Sequence, residues 1–285
     1  MNGKLWGLVL MLISCLSFSV MQVCVRISAA EIPLVEQVFF RNALGLLISI
    51  AVLKYRRISP AVDPEYKGAL FARALFGFAG LFFLFYASSH ARQADVSLLS
   101  RTTCIWVFLI QAFMGVKMRK TQAAITCLCI AGAVIAINPR FDSAVIPLLC
   151  ACASAMCSGA AYTAIGYCSG RVDPFVVIFY FCLFSTVCAG ILMLWNFTVP
   201  SWANLLWVIM IGLSAAAGQV TLTYGLQKVT AGIGSVYEYF TIIASALLGY
   251  LFFAEIPGLR TIIGSILIIA GAVWNYRESR ILVSG

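Results

Sequence analysis

Apolar residues in this chain do not recur at the period of a half-buried strand or a surface helix. They come in unbroken blocks of about twenty, the length that carries a helix across the hydrocarbon of a bilayer. The blocks span residues 5–28, 34–53, 68–88, 94–116, 121–137, 144–167, 175–195, 203–224, 232–252 and 260–276. Strands of an outer-membrane barrel would instead alternate polar and apolar residues over segments of about ten. The pattern predicts an all-α polytopic membrane protein with ten transmembrane helices. The first block follows Lys4 and contains Ser14, Ser17, Ser19, Gln22 and Arg26. Without a convincing small-residue cleavage site behind it, it reads as a retained helix rather than a signal peptide.

Composition agrees with lipid as the solvent. Of 285 residues, 62% are hydrophobic and 10% charged, against about 25% charged in soluble domains. An ordinary soluble enzyme is excluded. The net charge of +9 does not point to nucleic acid, because the basic residues lie in short loops rather than on one face. With the N-terminus in the cytoplasm, Lys4, Lys54, Arg56, Arg57, Lys67, Lys117, Arg119, Lys120, Arg171, Lys228, Arg277 and Arg280 fall on the cytoplasmic side. Arg26, Arg92, Arg140 and Arg260 fall opposite, and Arg41, Arg73 and Arg101 stay within spans or near their ends. Twelve against four places both termini in the cytoplasm. The loops are too short for a soluble catalytic domain. With no transit peptide, the expected location is a bacterial inner membrane. The 11 cysteines have no zinc-finger spacing and read as small apolar packing residues, so no metal site and no cofactor is expected.

An internal repeat organises the ten spans. Residues 130–134 and 269–273 share the text Ile-Ala-Gly-Ala-Val, 139 positions apart, while Tyr86 matches Tyr224 and Ser97 matches Ser235 at a spacing of 138. These positions fall on the same helix in each half: the end of the third, the start of the fourth, and the fifth. The halves, 1–140 and 141–285, are expected to be five-helix repeats. Five is odd, so the second copy enters the membrane from the opposite side, an inverted-topology repeat suited to alternating access around a midplane site.

The later spans carry recognisable text. Leu222-Thr-Tyr-Gly-Leu-Gln-Lys-Val-Thr-Ala-Gly-Ile-Gly-Ser235 is followed by Ala246-Leu-Leu-Gly-Tyr-Leu-Phe-Phe-Ala-Glu255 and Ile263-Gly-Ser-Ile-Leu-Ile-Ile-Ala-Gly271. In the first half, Arg73-Ala-Leu-Phe-Gly77, Phe85-Tyr-Ala87 and Ser100-Arg-Thr-Thr103 occupy corresponding places. This text resembles the drug/metabolite transporter superfamily, EamA type, over essentially the whole chain. Two departures stand out. Cys104 and Ile242 or Ile243 lie near places where members often have proline, and Lys117 lies near the acidic residue that commonly closes the fourth helix, which Glu255 retains in the second half. The resemblance implies ten helices, two inverted repeats and a central cavity lined by the first, third, fourth, sixth, eighth and ninth helices. It implies no single substrate.

A charge inside a span costs about 2.5–3.5 kcal/mol on an insertion scale, so it calls for a partner, water or a function. Arg101 lies in the fourth span and Glu238 in the ninth, one position out of register between the repeats. Inverted symmetry would place them near opposite mouths or on opposite walls of one cavity. There a guanidinium can fork onto a carboxylate while Glu238 takes an ammonium or other cation, or exchanges a proton. Tyr237, Tyr239 and Trp106 surround these charges, Tyr86 and Tyr224 recur between repeats, and Gln219 and Gln22 are neutral hydrogen-bonding candidates. Packing and interfacial anchoring compete with binding for every aromatic residue. Arg41 and Arg73 are equally open between helix ends and substrate. Arg26 and Glu36 read as interfacial, and His90 as solvated.

With no nucleophile elbow, Walker loop or histidine pair, nothing supports hydrolysis or ATP-driven pumping. The reading is a transporter of small organic metabolites by alternating access, not an enzyme. Amino acids or related zwitterions lead as substrates, with S-adenosylmethionine or export of drug-like cations as alternatives and a proton or other ion as a candidate coupling partner.

Overall fold

The computed structural model describes residues 3–28, 31–91, 93–116, 120–138, 145–194, 202–229, 231–254, 256 and 258–284. The expectations for Arg92, Lys117, Arg119, Arg140 and Glu255 lie outside these residues. Every regular element described is an α-helix, as backbone groups in lipid require. In chain order they are α1 (Gly3–Ser28), α2 (Leu34–Arg56), α3 (Pro64–His90), α4 (Gln93–Ser100), α5 (Thr103–Phe113), α6 (Lys120–Ile137), α7 (Val145–Tyr167), α8 (Pro174–Met193), α9 (Trp202–Lys228), α10 (Ala231–Tyr237), α11 (Phe240–Phe253) and α12 (Leu259–Ser284).

Nine runs among the described residues are long and apolar enough to cross a bilayer, and Leu98–Phe113 is a tenth, shorter one. The expected fourth and ninth spans are each two helices: α4 and α5 meet at residues 101–102, and α10 and α11 at 238–239. Caps agree with local sequence. Asp173 accepts a 2.8 Å hydrogen bond from the Phe175 amide at the start of α8, where Pro174 supplies the first helical position. Large apolar side chains such as Leu47, Phe71, Leu149 and Ile266 are exposed, as lipid-facing residues are. Glu36, expected at an interface, is instead fully buried.

Contacts divide the chain into two compact units, and each draws on both sequence halves. Unit 1 comprises Met1–Phe78 and Ala164–Lys228; unit 2 comprises Ala79–Thr163 and Val229–Gly285. In unit 1, α1 packs against α9 and α2 against α8 and α9. Ser14 donates its hydroxyl to the Gly218 carbonyl at 3.0 Å. A Cβ at Gly218 would come within 2.8 Å of the Phe18 ring, so only glycine lets α9 approach this closely. In unit 2, α6 packs against α12, where Gly132 and Gly264 face each other across the crossing.

The contact between Ser14 and Gly218 has a counterpart in unit 2. There Ser154 of α7 donates to the Gly80 carbonyl of α3 at 2.8 Å. The two serines lie 140 positions apart and the two glycines 138, close to the spacing of the sequence repeat. The first helix of each repeat therefore clasps the third helix of the other. Such interhelical bonds in membranes are worth about 0.6 kcal/mol on average. Ser14→Ala and Ser154→Ala are each expected to lower thermal stability in detergent by a similar small amount, measured as the shift in unfolding midpoint.

Candidate functional site

The site grows out of the two helix breaks. At the end of α4 the Arg101 amide bonds the Leu98 carbonyl at 3.0 Å and the Thr102 amide bonds that of Leu99 at 3.1 Å. The Glu238 amide bonds Ser235 at 3.2 Å and the Tyr239 amide bonds Val236 at 3.3 Å. Both backbones have tightened to three-residue hydrogen bonding, which leaves carbonyls short of their usual amide partners. Hydroxyls supply some of the missing donors: Thr102 to Leu99 at 2.6 Å, Thr103 to Ser100 at 2.8 Å and Ser235 to Gly232 at 3.1 Å. Ser and Thr compete with the helical ladder in this way.

Arg101 supplies another. Its Nη1 donates to the Glu238 backbone carbonyl and to Thr241 Oγ1, each at 3.4 Å, and stands 3.5 Å from Glu238 Oε2. The two charged side chains are thus neighbours in unit 2, where inverted symmetry had suggested opposite walls or mouths. Their exposures are 18% and 12%, so the pair is mostly withdrawn from solvent. Charge-assisted bonds of this kind usually close to about 2.7–2.9 Å, and this one is longer. The other carboxylate oxygen, Glu238 Oε1, is buried without a hydrogen-bond partner among the described residues. Tyr162 of α7 also interacts with this carboxylate.

The tyrosines beside the pair are held by packing. Tyr239 is 1% exposed and its hydroxyl lies 3.1 Å from Cys104 Sγ. Tyr237 donates to the Ala272 carbonyl at 3.2 Å and stacks on Phe240, while Asn275 donates back to the Ile233 carbonyl at 3.1 Å. These two bonds tie α10 to α12. Trp106 sits on α5 where Gly159 of α7 leaves room for its Cβ. Tyr86, at the end of α3, is exposed and stacks on His90. Gln219 and Tyr224 belong to unit 1. Gln219 bonds Thr223 at 3.4 Å, and Tyr224 receives a 3.3 Å bond from Arg56. The structure thus gathers Arg101, Glu238, Tyr237 and Tyr239 at the two breaks. It adds Tyr162 and Thr241, for which the sequence carried no signal beyond polarity within a span, and Cys104, which the sequence marked only as a departure from the family's common proline.

The EamA-like transporter family matches residues 5–138 and again residues 145–277. The chain belongs to the EamA-like transporter family. It is a multi-pass membrane transporter rather than an enzyme, and its ten spans form two five-span repeats of opposite topology. Among EamA-like relatives, the pseudopaline exporter CntI of Pseudomonas aeruginosa is 31% identical over 274 residues, covering 94% of each chain. An uncharacterized transporter of Helicobacter pylori is 24% identical, covering 95% of each. Solute carrier family 35 member G1 of the mouse is 22% identical over 92% of this chain and 76% of its own. A solved crystal structure superposes with a TM-score of 0.82 over 97% of this chain and 98% of the other at 21% identity, so the two share a fold.

Proposed function

We propose that this EamA-like transporter exports a small zwitterionic metabolite, an amino acid or a relative of one, from the cytoplasm of a bacterium by alternating access at the Arg101–Glu238 pair. The observation that carries the reading is a long, mostly buried ion pair set at two helix breaks. A zwitterion matches both charges at once. Its carboxylate takes the Arg101 fork, its ammonium takes Glu238, and the exchange replaces one charge pair with two, so no charge is stranded in low dielectric. Glu238 is also the group in the site able to trade a proton, which makes a proton the leading coupling ion. The export direction draws support from the Pseudomonas relative's name. Packing of Tyr237 and Tyr239 against protein groups supports a compact substrate over one that needs aromatic walls, such as S-adenosylmethionine.

Counterflow in proteoliposomes with labelled amino acids, S-adenosylmethionine and a lipophilic cation tests this. Zwitterions should exchange, and their flux should fall at least tenfold in Arg101→Lys, which keeps the charge and loses the planar fork. Flux of the lipophilic cation alone, unchanged in Arg101→Lys, would overturn the reading. The distribution of basic residues further predicts both termini in the cytoplasm. Cysteines placed at Asn2 and Ser284 should resist a membrane-impermeant maleimide in intact cells and react after lysis.

A further inference from the structure

Helix α2 ends on a residue that runs against local preference. Arg57 closes it at φ 54° and ψ 37°, in the left-handed region, where glycine is the usual choice because a Cβ there crowds the backbone. The turn is otherwise well made: the Arg57 amide bonds the Lys54 carbonyl at 3.2 Å, and the Ile58 amide bonds that of Leu53 at 2.9 Å. Glycine would close it with less strain. An arginine standing at such a position points to a use for its side chain.

The run Val35–Arg56 is long and apolar enough to span a bilayer, which puts Arg57 at the level of the lipid headgroups. Arg56 is committed to protein. Its guanidinium lies 5.3 Å from the centre of the Phe175 ring and donates to the Tyr224 hydroxyl at 3.3 Å, tying the end of α2 to α8 and α9. Lys54 and Arg57 are exposed, and neither side chain makes a hydrogen bond or ion pair among the described residues. On the same helix, Leu47 is 62% exposed, Ala51 is exposed and Tyr55 is 89% exposed. Positions 47, 51, 54 and 55 have the spacing of one helix face. That face is apolar for two turns, aromatic at the interface and cationic at its end, the order of groups along a phospholipid from acyl chain to phosphate.

We propose that the end of α2 binds one anionic phospholipid, with Lys54 and Arg57 on its phosphate and an acyl chain along Leu47 and Ala51. A headgroup with no ammonium of its own, such as that of phosphatidylglycerol, leaves the phosphate charge to the two cations, whereas phosphatidylethanolamine neutralises its own. A soluble phosphate would leave the apolar turns beside the charges unused. The assignment does not rest on the Arg101–Glu238 reading, because its residues belong to unit 1 and that pair to unit 2. Native mass spectrometry of the purified full chain with dioleoyl phosphatidylglycerol is the test, read as the dissociation constant of the first bound lipid. Dioleoyl phosphatidylethanolamine should bind about tenfold more weakly, and each cation lost in Lys54→Gln or Arg57→Gln should weaken phosphatidylglycerol about fivefold. Arg260→Gln, which removes an exposed cation at the start of α12, should leave that constant unchanged. Arg57→Gly should weaken the lipid equally, yet in lipid-free detergent its unfolding midpoint should match or exceed the wild type, because the left-handed turn is relieved.

Equal affinity for the two lipids overturns the proposal, as does a phosphatidylglycerol constant unchanged in the double variant Lys54→Gln with Arg57→Gln. So does displacement of the lipid by an equal concentration of glycerol 3-phosphate, which assigns the two cations to a soluble anion instead. Should the double variant fail to purify as a monodisperse protein, Arg57→Gly decides: unchanged lipid affinity in that variant overturns the end of α2 as the site.

Discussion

Replacing Arg101 by Ala is expected to abolish transport and to destabilise the folded chain by about 3–5 kcal/mol, the usual cost of stranding one partner of a buried ion pair. Glu238 would keep its charge at 12% exposure without the guanidinium that now faces Oε2, and its backbone carbonyl would lose the same group, which now donates to it. The double variant Arg101→Gln with Glu238→Gln separates structure from function. Two neutral amides of similar shape can bond each other, so stability should recover most of the loss, with a coupling energy of 0.5–3 kcal/mol in the double-mutant cycle. Transport should not recover, because neither charge of a zwitterion then finds its partner. Unfolding midpoints in detergent measure the first quantity and counterflow the second. A double variant that transports at the wild-type rate would reduce the pair to scaffolding.

Gly264→Leu is expected to prevent accumulation of folded protein. At the crossing of α6 and α12, a Cβ on Gly264 would overlap the Gly132 carbonyl oxygen and lie 2.7 Å from the Ala136 amide nitrogen. Both are backbone atoms of a helix, which cannot rotate aside as a side chain can. Overpacking commonly costs 1–3 kcal/mol, and a clash between two helical backbones belongs at or above the top of that range. Gly258→Ala is the matched control, since nothing lies within 4 Å of its Cβ position, and its effect should stay within about 0.5 kcal/mol. Fluorescence-detected size exclusion of tagged variants gives the folded fraction for each.

The ten spans were legible because lipid imposes one demand on every residue that faces it, and blocks of apolar residues meet that demand without reference to neighbours. Ends were less legible. Helix α12 runs to Ser284 and α9 to Lys228, beyond the last apolar residue of each block, because helical geometry continues past the hydrocarbon once started. The breaks at residues 101–102 and 238–239 left no proline or glycine at those positions to mark them. What marked the first was the text Ser100-Arg-Thr-Thr103, whose hydroxyls bond backbone carbonyls three residues back. The repeat made Arg101 and Glu238 near-equivalent, but equivalence gives register and not distance. That they meet at 3.5 Å depends on how α5 and α10 pack, a tertiary fact with no local signature. The tyrosines failed to declare themselves for a similar reason, since a ring that binds and a ring that packs have the same sequence.

The way each compact unit borrows from both halves constrains how the protein is made. Spans α1 and α2 leave the ribosome first, yet they pack on α8 and α9, which are synthesised roughly 140 to 200 residues later. Until those arrive, the Ser14 hydroxyl lacks the Gly218 carbonyl it donates to. The nascent first half is therefore a set of inserted but unassembled helices, dependent on the insertion machinery or on one another for shelter. Assembly of unit 1 begins with α8 and α9, so a ribosome stalled after α7 leaves in the membrane a fragment that can form neither compact unit.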